Sequence, residues 1–166
     1  MKTCSFLAAT LCVASLTLAA EPLPSGLAGT WKITRVLEST SGACWDAAKA
    51  QPLVGSTLVY RDDSMRWRGG EVPLQDVVTR SVTAEDFRKE NSNLGTPPGF
   101  AELGIHAQRV TEVDLQHEDA DITGTTTEVP GDSVLIVSPN RIVVSACGVF
   151  FEATRSGSIM RTSAHR

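Results

Sequence analysis

The chain has 166 residues, 42% of them apolar and 20% charged, with a formal charge of −4. Those proportions describe one folded domain and exclude an intrinsically disordered chain. The acidic balance also argues against a nucleic-acid partner, because neutralising phosphates takes a clustered excess of Lys and Arg.

Residues 1–20 carry Lys2, then an apolar and small run from Cys4 to Ala20 that closes Leu18-Ala19-Ala20 ahead of Glu21-Pro22. This is the pattern of a secretory signal peptide. Ser15 and Thr17 interrupt the run and no stop-transfer charges follow it, so no membrane span is expected after cleavage. Leu11 directly before Cys12 argues against lipoprotein processing. The expected organisation is a signal peptide over 1–20, one folded domain over 21–155 and a flexible tail over 156–166. Cleavage removes Lys2, which takes 15 basic residues to 14 against 19 acidic ones, a charge of −5. It also removes Cys4 and Cys12 and leaves Cys44 and Cys147. An isolated pair in an oxidising compartment is expected to be bridged. A nucleophilic Cys147 would want a Cys-x-x-Cys partner or an adjacent His, and has neither. No Asn-x-Ser/Thr sequon occurs, which with the short basic start points to a bacterial protein, periplasmic or secreted.

Strand patterns dominate the rest. Residues 30–38 alternate Trp31, Ile33, Arg35 and Leu37 with Lys32, Thr34, Val36 and Glu38, the period of a half-buried strand. A loop and at most two helical turns follow over 43–50. Strands over 56–60 and 64–68 flank the turn Arg61-Asp62-Asp63, and a longer strand over 72–83 comes after Gly69-Gly70. Thr83 ahead of Ala84-Glu85-Asp86 predicts a capped short helix over 84–91. The stretch 92–104, with Thr96-Pro97-Pro98-Gly99, is the longest irregular segment, and loops of that size are often functional or mobile. A fifth strand is expected over 108–117. After a polar stretch, three closely spaced strands cover 133–137, 141–145 and 149–155, turning at Ser138-Pro139-Asn140 and Ala146-Cys147-Gly148. The last turn would bring Cys147 to the segment that carries Cys44.

Eight antiparallel strands in sequence order, with one or two short helices, predict an all-β meander barrel. Closure removes the exposed edges that such a chain would otherwise carry. Eight strands enclose room for packed side chains or one small ligand.

Leu27-Ala28-Gly29-Thr30-Trp31 on the first strand and the run Gly148 to Arg155 on the last resemble the lipocalin-like, or calycin-type, pattern. The resemblance implies that Trp31 sits at the closed end of the barrel with Arg155 across its indole. A guanidinium over an indole is worth about 0.5 to 2 kcal/mol. The chain is similar to small exported bacterial lipocalin-like proteins, and this implies binding of a small apolar or amphipathic molecule. Leu58, Tyr60, Met65 and Trp67 would line the interior. Arg35, on the face of Trp31 and Ile33, would need a reason to point inward: a partner such as Asp76 or a buried carboxylate, or an anionic group on the ligand, which it would anchor.

Other patterns have ordinary readings. Gly131-Asp132-Ser133-Val134-Leu135 mimics a hydrolase block, yet its Ser is expected to open a strand, and the one later His is His165 in the tail. Asp119-Ala120-Asp121 suggests half a calcium loop, but position 12 of that loop is Pro130, so the acidic stretch from Glu118 to Glu128 is expected to be a solvated loop. His106, His117 and His165 are scattered without metal-ligand spacing. No metal, cofactor or catalytic set is expected. The rival to ligand binding is a protein-binding role, in which residues 91–100, stiffened by Pro97-Pro98, inhibit an exported hydrolase. Exposed Leu94 and Phe100 would favour that rival.

Overall fold

Each strand pairs with its neighbours in sequence and the last returns to the first, so the ladder closes into an antiparallel barrel of order β1 to β8. The strands are β1 Gly29–Ser39, β2 Thr57–Tyr60, β3 Ser64–Trp67, β4 Gly70–Thr83, β5 Arg109–His117, β6 Ser133–Ser138, β7 Arg141–Ala146 and β8 Val149–Arg155. Two short helices, α1 Ala47–Ala50 and α2 Ala84–Glu90, fall in the connections after β1 and β4. The computed structural model describes residues 21–40, 43–117 and 129–157. The expected signal peptide, the acidic stretch 118–128 and the tail beyond 157 lie outside the described residues.

The meander follows from local chemistry. Two of its hairpins turn on two residues that both have positive φ, Arg68-Gly69 and Cys147-Gly148, the geometry that matches the twist of the flanking strands. A side chain in that region costs about 1 to 2 kcal/mol, and both exceptions have compensating contacts. Arg68 lies 4.7 Å from the Trp67 ring centroid and donates to the Pro52 carbonyl at 3.2 Å. Cys147 is bonded to Cys44. Helix α2 starts where the sequence predicts it: the Thr83 hydroxyl accepts from the Asp86 amide at 3.2 Å, and the Asp86 carboxylate accepts from the Thr83 amide at 3.0 Å. That reciprocal pair satisfies donors that a helix start leaves open.

Inward side chains from all eight strands form the main core, with Trp31, Ile33, Leu58, Tyr60, Met65, Val113, Ile142 and Phe151 among its most buried members. A second apolar layer lies on the outer wall. Phe87 of α2, together with Phe100, Leu103 and Ile105, packs on outward residues of β4 to β8, including Val82, Val110, Leu135, Val143 and Phe150. The Phe87 ring stands 5.7 Å from both Phe100 and Phe150. The later part of the long irregular segment, from Pro98 onward, is thus a packed cover. Sheets buried on both faces carry continuous apolar runs, and Val134-Leu135-Ile136-Val137, Ile142-Val143-Val144 and Val149-Phe150-Phe151 are such runs.

Glu152, on the outer face of β8, ties this cover to the barrel. It accepts from Arg35 of β1 at 3.0 and 3.2 Å and from Arg141 of β7 at 2.7 Å. Arg141 also donates to the Leu103 and Gly104 carbonyls at 2.6 and 3.0 Å. Hydrogen bonds from Arg35 and, against the cost of partial burial, from Arg141 hold the Glu152 carboxyl at about 2, below its ordinary 4.5. A depressed carboxylate stabilises the fold fully above the unfolded value and loses that contribution as pH falls from about 5 towards 2. Discounted for the exposure of Arg35, the contribution is about 2 kcal/mol. Glu152→Gln should therefore lose about that much stability at pH 7 and converge on the parent near pH 2, read from urea midpoints across the range. A constant gap at all pH values would show that Glu152 acts by packing alone. Glu112 runs the other way: it is 3% exposed, and burial raises its carboxyl despite Arg80 at 2.9 Å, so it favours the fold at low pH. The difference between parent and variant isolates Glu152 from that opposing effect.

Candidate functional site

Alternate connections of an up-and-down barrel lie at opposite ends. One end therefore holds the segment before β1 and the β6–β7 turn, and the other holds the β1–β2, β3–β4 and β7–β8 connections. The first end is sealed. The Trp31 Nε1 donates to the Leu27 carbonyl at 2.7 Å, and the Arg155 guanidinium lies 4.2 Å from the Trp31 ring centroid. Arg155 also donates to the carbonyls of Gly26, Ala28 and Pro139 at 2.7 to 2.9 Å. Gly29 is the position that permits this: its φ is +128°, and a Cβ there would collide with the Arg155 guanidinium.

The opposite end is stapled. Cys44 and Cys147 form a disulfide with Cα atoms 5.2 Å apart, closing a sequence separation of 103 residues. The backbone docks alongside it: the Thr40 amide donates to the Gly148 carbonyl at 2.8 Å and the Cys44 amide to the Cys147 carbonyl at 3.0 Å. Gly148 allows the close approach, since a Cβ there would meet Thr40 and Ala43 at 2.7 to 2.9 Å. Beyond the staple, α1 and the turn Gln51–Leu53 send Ala50 and Leu53 into the barrel core.

Between the two ends, Leu58, Tyr60, Met65 and Trp67 are all inside, each at most 2% exposed. Cross-strand pairing sets Leu58 against Trp67 and Tyr60 against Met65. Their polar atoms are satisfied by the chain itself. The Tyr60 hydroxyl donates to the Gly131 carbonyl at 3.1 Å, and the Trp67 indole donates to the Ser56 hydroxyl at 3.3 Å. Burial, then the nearby Asp132 carboxylate, pushes the Tyr60 phenol well above its ordinary value, so it is a neutral donor. These four residues present apolar surface, and any recognition by them is of shape.

Arg35 is not among them. The β1–β8 register slips between Ile33 and Arg35, and that irregularity turns Arg35 outward to Glu152, with 60% of its side chain exposed. Simple alternation carried the inward face one residue too far; past the slip, Val36 packs against the core instead. The anchor role expected of Arg35 inside the barrel is corrected accordingly, and the carboxylate it pairs with is Glu152, not Asp76. The segment 91–100 also differs from expectation. Phe100 is 4% exposed and Pro98 and Gly99 are buried, while the Leu94 side chain lies outside the described part.

His117 Nε2 lies 3.0 Å from Asp132 Oδ1, so this histidine has a hydrogen-bonding partner within the fold. Ser133 opens β6, as the turn reading of that block expects. Trp45 went unassigned in the sequence; it stands next to Cys44 and packs half-buried against the core. An aromatic beside a stapled cysteine was the available signal. Among the described residues no helix is long and apolar enough to cross a membrane. Comparison of the chain with protein-family models, with curated proteins and with solved structures finds no match in any of the three.

Proposed function

We propose that this is an exported, lipocalin-like binding protein whose ligand is a small apolar or amphipathic molecule held in the barrel. The observation that carries the reading is the pairing of a sealed end with a stapled one around an apolar interior. Trp31 and Arg155 close the first end, and Leu58, Tyr60, Met65 and Trp67 face inward above them. Interior residues without free polar atoms suit a ligand chosen by shape and hydrophobicity. Export is supported by the Cys44–Cys147 bridge, since such bonds persist in oxidising compartments. The leader pattern in residues 1–20 points the same way. Of the two apolar residues whose exposure would favour inhibition of a hydrolase, Phe100 is part of the second core, which weighs against that rival.

The test is native mass spectrometry of the protein purified gently from its own exported compartment, followed by displacement of a fluorescent naphthylamine probe. A stoichiometric small adduct on a chain beginning near Glu21, together with saturable probe uptake that Leu58→Trp blocks, is the expected result. A bare chain that takes up no probe would overturn the carrier reading.

A further inference from the structure

A cleft of about 130 Å³ opens beside the staple, between the end of β1 and the segment that carries α1. Its floor is apolar: Val149 and Ala50 are at most 2% exposed, and Val36 packs on the same core. Trp45 forms part of its wall, and the lining continues with Leu37, Ser39 and the two exposed acids Glu38 and Asp46. No Lys or Arg lines it among the described residues, and the arginine nearest in sequence to Glu38, Arg35, is engaged by Glu152. The size is close to that of a cavity of about 150 Å³ that accepts a benzene ring.

We propose that this cleft binds a small organic cation, an alkyl- or arylammonium whose apolar body lies against Trp45 and whose charge meets Glu38 and Asp46. Three independent properties converge on that class. The floor rewards an apolar group, the indole favours a cation over any other charge, and both ionised residues of the lining are acidic. The walls are held before binding: the disulfide at Cys44 and the amide contacts to Cys147 and Gly148 fix the backbone that carries Trp45. Preorganisation of this kind lowers the entropic cost of capturing a small ligand. None of Leu58, Tyr60, Met65 and Trp67 lines the cleft, so the inference does not rest on the carrier reading.

The experiment is calorimetric titration of the oxidised protein with phenethylammonium, set beside its neutral counterpart 2-phenylethanol. Saturable binding with a Kd of about 1 mM or tighter is expected for the cation, and binding at least about tenfold weaker for the alcohol. The double variant Glu38→Gln/Asp46→Asn should weaken the cation about tenfold. It keeps side-chain volume at two exposed positions and retains at residue 46 a carbonyl that can accept from the Lys49 amide, as Asp46 does at 3.0 Å. Trp45→Ala should abolish saturation. The proposal is overturned if the cation fails to saturate, if the alcohol binds equally well, or if the double variant binds like the parent. It is also overturned if the cation displaces a naphthylamine probe from the barrel, since the charge would then be held inside.

Discussion

Replacing Cys44 and Cys147 together by serine should lower the free energy of unfolding by about 4 to 5 kcal/mol. The bridge joins residues 103 apart, and in the chain-entropy model a loop of about that length withholds close to 4.7 kcal/mol of freedom from the unfolded ensemble. The native state contributes a smaller effect of opposite sign. Cys147 sits at φ +52°, a region that disfavours side chains, and the bridge is what keeps a cysteine there. Asparagine tolerates that region better than serine, so Cys44→Ser/Cys147→Asn should recover roughly 0.5 to 1 kcal/mol of the loss. Urea unfolding of the parent and the two double variants checks both claims. A loss below about 1 kcal/mol would mean that the bridge strains the native turn as much as it restrains the unfolded chain.

The second large effect belongs to the sealed end. Trp31→Ala should cost about 3 to 5 kcal/mol, because it removes a fully buried indole from a packed core. Two further losses fall on neighbours. The Leu27 carbonyl loses its donor, and Arg155 loses the ring that its guanidinium covers at 4.2 Å. Arg155→Lys separates these contributions. A lysine keeps the charge over the indole but cannot donate at once to Gly26, Ala28 and Pro139, so about 1 to 2 kcal/mol should go. If Arg155→Lys proved neutral under thermal unfolding, the seal would rest on Trp31 alone.

Strand existence was legible because alternation and turn chemistry agreed along the chain. The strand over 149–155 matches β8 at both ends, and Thr83 marks the start of α2. The pairing of Cys44 with Cys147 was legible from arithmetic, and the Trp31–Arg155 contact from the resemblance. Arg35 was misplaced for a specific reason. Alternation assigns faces only while the register holds, and nothing in Lys32-Ile33-Thr34-Arg35 marks the slip against β8. The cover over β4 to β8 was missed because Pro97-Pro98-Gly99 reads locally as an exposed loop. Its signal lay elsewhere, in the continuous apolar runs of β6, β7 and β8, which have no polar face to offer water. Trp45 carried no periodic pattern, since it belongs to a connection whose shape is set by a covalent bond far away in sequence.

The second apolar layer gives the barrel a thick side and a thin one. Among the described residues it draws no member from β2 or β3, which are only four residues each and stand across the ring from β6 and β7. Opening the wall at β6 or β7 must unpack two cores at once, whereas parting β2 from β3 disturbs one. Amide exchange should accordingly run through the β2–β3 hairpin well below the free energy of global unfolding, while β7 and β8 exchange near the global limit. Such a pattern would make the wall compliant on its thin side, in the strands that carry Leu58, Tyr60, Met65 and Trp67.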